Sequence, residues 1–222
     1  MGCYYIAFAL AGRHCAGTSK GHNLPQTYPN SPPSRVSGDN ISFKNRQAFP
    51  APMYVALTGT PGTGKTSAAT ILSKRGFAVS TVEELAAQHG ALETAEGGKE
   101  VDTDKLSKSM PESPQTLIIV GHLAHHLPND FCIILRCHPE EIRKRLSARN
   151  YSREKLMENL EAEAIDVVLT EAIEACETVF EIDTSNVKPE QVANAIENII
   201  NGDADEYSPG KIDWSGAVMD WY

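Results

Sequence analysis

The sequence predicts an α/β fold with a parallel sheet flanked by helices, and three observations carry that expectation. Short apolar runs rich in branched residues alternate with segments of helical spacing from residue 53 onward. The runs LIIV and FCIIL are apolar throughout rather than at every second residue, the mark of strands covered on both faces. Between the first strand and the first helix lies GTPGTGKT, residues 59–66, which fits the phosphate-loop pattern GxxxxGK[ST] in the context that gives the pattern meaning.

The 222 residues carry a net charge of −9, distributed unevenly. Residues 1–52 hold five basic residues and one acid, Asp39, so the remainder has 15 basic against 28 acidic residues. An acidic body argues against electrostatic capture of nucleic acid. Six prolines and scattered Ser, Gly and Asn make residues 1–52 read as a disordered segment or a mis-assigned extension, with Met53 as the expected start. A transit peptide is the competing reading, since the segment is poor in acids; a secretory signal fits badly because no positive region precedes its apolar run. Five cysteines without a CxxC pair suit a reducing, cytoplasmic setting better than a disulfide framework.

Taken in order, YVALT is the first strand and the glycine-rich turn follows it directly. SAATILSKRG is a helix stopped by Gly76, FAVS a strand, and TVEELAAQHG a short helix stopped by Gly90. Residues 91–105 are polar and read as a long connection. After the strands LIIV and FCIIL, Pro139 opens a helix over PEEIRKRLSARN. SREKLMENLEAEAIDVVLTEAIEAC reads as one long amphipathic helix, VFEID as the last strand and KPEQVANAIENII as the last helix of a domain spanning 53–202. Residues 203–222 form an acidic tail with aromatic residues, open to reading as a docking element or a frayed end.

The loop gives the chemistry. Its glycines, Gly62 and Gly64 among them, let backbone N–H groups converge on a phosphate, and the following helix adds its dipole. Lys65 supplies a point charge, and Thr66 or Ser67 a hydroxyl for Mg²⁺ accompanying ATP. Arg145 and Arg149, four apart on an expected helix, share a face suited to phosphoryl oxygens; a solvated basic face is the plainer alternative, and Arg136 is a weaker candidate. The spacing His122-x-x-His125-His126 would suit a metal, but the sequence places no third ligand and Pro128 limits any helix, so no metal role is expected. Cys132 and Cys137, flanking a strand, are expected to be packing residues.

LTGTPGTGKTS, the GH at residues 121–122, and above all RLSARNYSREKLMEN at residues 145–159 resemble the adenylate kinase isoenzyme 6 family. The resemblance implies a P-loop nucleoside monophosphate kinase fold with a short lid near 148–158 and an acceptor-binding arm near 82–104. It implies ATP and AMP as substrates, phosphoryl transfer with some ATP hydrolysis, and a link to small ribosomal subunit maturation through a platform ribosomal protein. Arg149 would close over the transferring group, His122 would orient a hydrolytic water, and the loop DTSNVKPE would lie beside adenine. The rival reading is an assembly ATPase whose AMP kinase activity is incidental. One departure stands out: the family's acidic residue two before the histidine is Val120 here. Three accounts are open: phosphates, Thr66 and waters hold most of the Mg²⁺, Asp102 or Asp104 supplies the carboxylate, or nucleotide binds well and turns over poorly; the first two together are expected.

Overall fold

The computed structural model describes residues 52–95, 98–110, 115–149 and 151–219. The expectation concerning residues 1–52 falls, apart from Pro52, outside them. Five strands form one parallel sheet: β1 (Tyr54–Thr58), β2 (Ala78–Thr81), β5 (Leu117–Val120), β6 (Phe131–Arg136) and β7 (Val179–Asp183), in the order β2-β5-β1-β6-β7. The expected parallel α/β architecture is therefore present.

The pleat explains the unbroken apolar runs. Leu57, Ile118 and Ile133 turn to one face and pack with Leu72, Ile196 and Ile199. Their chain neighbours Ala56, Ile119 and Ile134 turn to the other and pack with Leu85, Leu106 and Leu169. Both faces are thus core, and alternation along a strand assigns residues to a layer rather than to solvent. Each fully buried Leu or Ile contributes roughly 1.5–3 kcal/mol relative to exposure.

Helices α1 (Lys65–Lys74) and α7 (Pro189–Ile200) cover the first face. α2 (Val82–Gln88), α3 (Thr103–Ser109) and α6 (Val167–Ala175) supply the second. A third, smaller cluster joins α4 (Pro139–Ser147) to α5 (Arg153–Ala164): Ile142, Leu146 and Leu160 are buried there, with Tyr151, Leu156 and Met157 packed against them.

Two sequence-based expectations are corrected. The polar stretch 91–105, expected as a loop too long for a simple connection, is not loop throughout. It contains an antiparallel hairpin, β3 (Leu92–Ala95) with β4 (Gly98–Val101), followed by the start of α3. Leu92 and Val101, opposite one another, pack on the core, while Glu93 and Glu100 face each other exposed. So small a hairpin displays no apolar run.

The expected single helix over 152–176 is two helices, α5 and α6, separated at Ile165-Asp166. Asp166 takes a left-handed conformation, φ 60°, which Asp tolerates better than most residues. Arg136 holds the break open: its guanidinium reaches the Asp166 carboxylate and donates to the Glu163 carbonyl at 3.1 Å. That carbonyl is the one an unbroken helix would offer to residue 167.

The tail runs back over the domain. Gly210 and Lys211 donate backbone N–H groups to the Glu181 carboxylate at 2.9 and 3.3 Å. Trp214 meets His138 edge to face at 4.9 Å, and the short α8 (Ser215–Met219) lies on α5.

Candidate functional site

The phosphate loop leaves β1 at its C-terminal end, in the centre of the sheet, where open parallel sheets bind ligands. Gly59 has φ 137°, and a Cβ there would stand 2.4 Å from the Leu135 carbonyl oxygen, so only glycine lets the loop pass β6. Gly64, φ 101°, ends the loop as the N-cap of α1 with no side-chain cap, leaving first-turn N–H groups of α1 for an anion.

The loop is pinned from behind. Thr184 Oγ1 donates to the Thr63 carbonyl at 2.8 Å. Arg145 donates to the carbonyls of Gly62 at 3.1 Å and Thr184 at 2.8 Å. This ties the loop to the DTSNVKPE segment that follows β7. Arg145 is therefore spent on main-chain carbonyls, and α4 ends at Ser147, two residues before Arg149. The expected shared helical face of the two arginines does not form.

A cavity of about 220 Å³ opens over the loop. Gly62 and Gly64 line it from the loop, Lys65, Thr66 and Ser67 from the start of α1, and His122 and Arg149 from two further segments. Seven of the residues singled out in the sequence thus line one cavity. Lys65 Nζ donates to the Gly59 and Thr60 carbonyls at 2.5 and 3.0 Å. Removal from water pushes its pKa down to about 8; Glu163 opposes the shift, Arg149 adds to it and Glu83 opposes it. His122 is also held below its ordinary value, first by burial and then by the Lys65 charge, with Glu83 acting the other way.

Glu83 is the residue that sequence reasoning missed. β2 lies beside β5 with Thr81 opposite Val120, so the first turn of α2 stands next to the position where an acid is lacking. Thr81 and Glu84 close a capping box on that turn, and Glu83 lines the cavity with Val120. The pair of acids in VEEL was a visible signal, but the neighbouring strand was not. The expected substitutes are corrected: Asp102 caps α3 by accepting from the Lys105 N–H at 2.9 Å, Asp104 is exposed, and neither lines the cavity.

Arg136, the weaker candidate, is structural. It is 1% exposed and bound to Glu163 at 2.9 Å, to Glu181 at 2.7 Å and to Asp166. Cys132 and Cys137 are fully buried, as packing residues would be.

Oxygen donors suit Mg²⁺, which keeps most of its waters and takes one or two protein ligands beside phosphate oxygens. Thr66, exposed at the first turn of α1, and the Glu83 carboxylate across the cavity fit that requirement.

A parallel sheet with a GxxxxGK[ST] loop at its central C-terminal edge defines a P-loop nucleotide-binding protein. Residues 55–166 match the family described as AAA domain. A protein of Archaeoglobus fulgidus named "Putative adenylate kinase" is 48% identical over 172 residues, covering 76% of this chain and 95% of its own. Relatives of the same name from Thermococcus onnurineus and Methanosarcina acetivorans are 42% and 39% identical; they cover 73% and 75% of this chain, and 92% and 100% of their own. The chain belongs to this family of P-loop proteins.

Proposed function

We propose that the protein transfers the γ-phosphoryl group of ATP to AMP, as a nucleoside monophosphate kinase of the isoenzyme 6 type. The observation that carries the reading is the convergence of Lys65, Thr66, His122 and Arg149 on one cavity above the phosphate loop. The relatives' name gives the acceptor class.

Loop N–H groups and Lys65 hold the β- and γ-phosphates of the donor. To do so the Lys65 ammonium exchanges two loop carbonyls for phosphate oxygens. Arg149, exposed and lining the cavity, closes over the transferring group and offsets charge on its equatorial oxygens. Mg²⁺, when bound with ATP, neutralises phosphate charge; Thr66 and Glu83 are the side chains that would hold it or its waters. With the acceptor site empty, His122, kept neutral by burial and by Lys65, orients a water for hydrolysis. Catalysis is positioning and electrostatics, without a covalent intermediate.

The acceptor arm is assigned to about residues 82–104, from α2 through the hairpin, and the lid to about residues 148–158, from the end of α4 into α5. The resemblance further supports a cytoplasmic role in small ribosomal subunit maturation, with a platform ribosomal protein as partner. Among the described residues no helix is long and apolar enough to cross a membrane.

The test is ADP production from Mg-ATP by the full chain with and without AMP, beside Lys65→Ala and Val120→Glu. AMP-dependent turnover in the parent, lost in Lys65→Ala, is expected. AMP-independent turnover that rises with the ribosomal protein would favour the assembly ATPase. Activity surviving in Lys65→Ala refutes the assignment.

A further inference from the structure

His125 and His126 occupy the three-residue 3₁₀ turn Ala124–His126 that follows β5. Unlike His122, neither lines the phosphate-loop cavity. The His125 side chain is buried, yet its Nε2 has no hydrogen-bond partner. Such an atom carries a desolvation cost that native structures rarely leave unanswered.

The tautomer follows from the other side of the ring. Thr58 Oγ1 lies 3.1 Å from His125 Nδ1 and 3.2 Å from the His122 carbonyl. The hydroxyl has one hydrogen, and the carbonyl can only accept it. With that hydrogen on the His122 carbonyl, Nδ1 is the donor to Thr58, and this tautomer leaves a lone pair on Nε2. That lone pair points into a space shared with a carboxylate: Nε2 is 3.5 Å from Glu171 Oε2. Two acceptors at this separation repel unless a cation stands between them.

The distance suits one. With metal–nitrogen and metal–oxygen bonds of about 2.0–2.2 Å, adjacent donors on a tetrahedral ion lie roughly 3.4 Å apart. His126 completes a set of three: its ligand atom and those of His125 and Glu171 all fall within 4.8 Å of one another. The two imidazole rings are 4.0 Å apart between centroids, tilted by 46°.

We propose that His125, His126 and Glu171 form a site for a borderline divalent transition metal of the zinc class, clipping the turn after β5 to α6. The sequence placed no third ligand because Glu171 lies 45 residues further on, on the outer surface of α6. His125 is the fixed, buried anchor, held by Thr58 as metal-ligating histidines are held by a hydrogen bond to the second nitrogen. His126 and Glu171 are exposed, so the ion enters from solvent and a water fills the fourth position. Thr58 holds both His125 and the carbonyl of His122, so the clip also fixes the segment that carries His122. None of the three ligands lines the phosphate-loop cavity, so metal uptake is read apart from the proposed kinase reaction.

The test uses the untagged full chain, stripped of metal and titrated with Co²⁺ by visible absorption and with Zn²⁺ by calorimetry. His126→Ala and Glu171→Gln alter exposed residues and preserve the fold, as far-UV circular dichroism would verify. One equivalent of Co²⁺ with tetrahedral absorption is expected in the parent, with affinity at least tenfold weaker in each variant. Zn²⁺ should raise the melting temperature of the parent and leave Glu171→Gln unmoved. No uptake by the parent overturns the proposal. Equal uptake by parent and both variants also overturns it, because the ion would then be held elsewhere.

Discussion

Replacement of Arg136 by Met tests the buried charge network that joins two strands, the α5–α6 break and the tail. The guanidinium is 1% exposed and faces Glu163 and Glu181, whose side chains are each about 1% exposed. Without it Glu163 keeps the Cys137 N–H at 3.0 Å, and Glu181 keeps the N–H groups of Gly210 and Lys211. Those donors solvate the carboxylates in part but do not neutralise them. Removing one partner from a buried ion pair costs about 3–5 kcal/mol, a large share of the ~5–15 kcal/mol that holds a domain folded. With a denaturant slope of roughly 2 kcal/mol per molar, the urea midpoint should fall by roughly 1.5–2.5 M. Arg75→Met, which removes a half-exposed pair with Glu197 at 2.7 Å, should cost no more than about 1 kcal/mol. Adding Glu163→Gln and Glu181→Gln to Arg136→Met should recover part of the loss, since the uncompensated charges disappear. Equilibrium urea unfolding followed by circular dichroism reads all three. A loss below about 1 kcal/mol in Arg136→Met, or no recovery in the triple variant, would refute the reasoning.

ATP binding should weaken with rising pH. Lys65 has its pKa lowered to about 8, so the free protein loses the ammonium as pH climbs through that value, and phosphate binding must restore it. Affinity for ATP is expected to fall roughly tenfold between pH 7.5 and 9, in a titration by calorimetry; a profile as steep in Lys65→Ala would exclude Lys65 as the cause. Glu83→Gln should shift the Mg²⁺ midpoint of nucleotide binding upward about three- to tenfold, by loss of a carboxylate ligand; an unchanged midpoint would remove Glu83 from that role. At Asp166, Ala loses both the ion contact and the tolerated left-handed conformation, whereas Gly loses only the contact. Asp166→Ala should therefore be less stable than Asp166→Gly by about 1–2 kcal/mol in thermal or urea unfolding, and equal stabilities would show that the backbone at residue 166 is not the determinant.

The sequence by itself determined the five strands of the parallel sheet, the order of most helices and the phosphate-loop residues. Each of those features is local: an unbroken apolar run, a glycine at a positive φ, a hydroxyl one residue past a lysine. Arg149 and His122 were legible through the motif at residues 145–159 and the GH after the third long strand, before any geometry placed them with Lys65. Only the tertiary structure decided which side chains share a site. The parallel pairing of β2 with β5 sets Glu83 beside Val120, a relation between residues 37 apart in sequence that no local pattern records. The same holds for Arg136, a plausible catalytic arginine until three carboxylates from distant segments enclose it, and for the helix it breaks at Asp166. Arg145 reads as a partner of Arg149 only until α4 ends between them and its guanidinium turns to main-chain carbonyls. Local conformation follows from backbone sterics and apolar spacing, which travel with the chain. Charge pairing and ligand sets depend on which strand ends and helix turns the sheet brings within a few ångströms, and that is fixed only when the layers close.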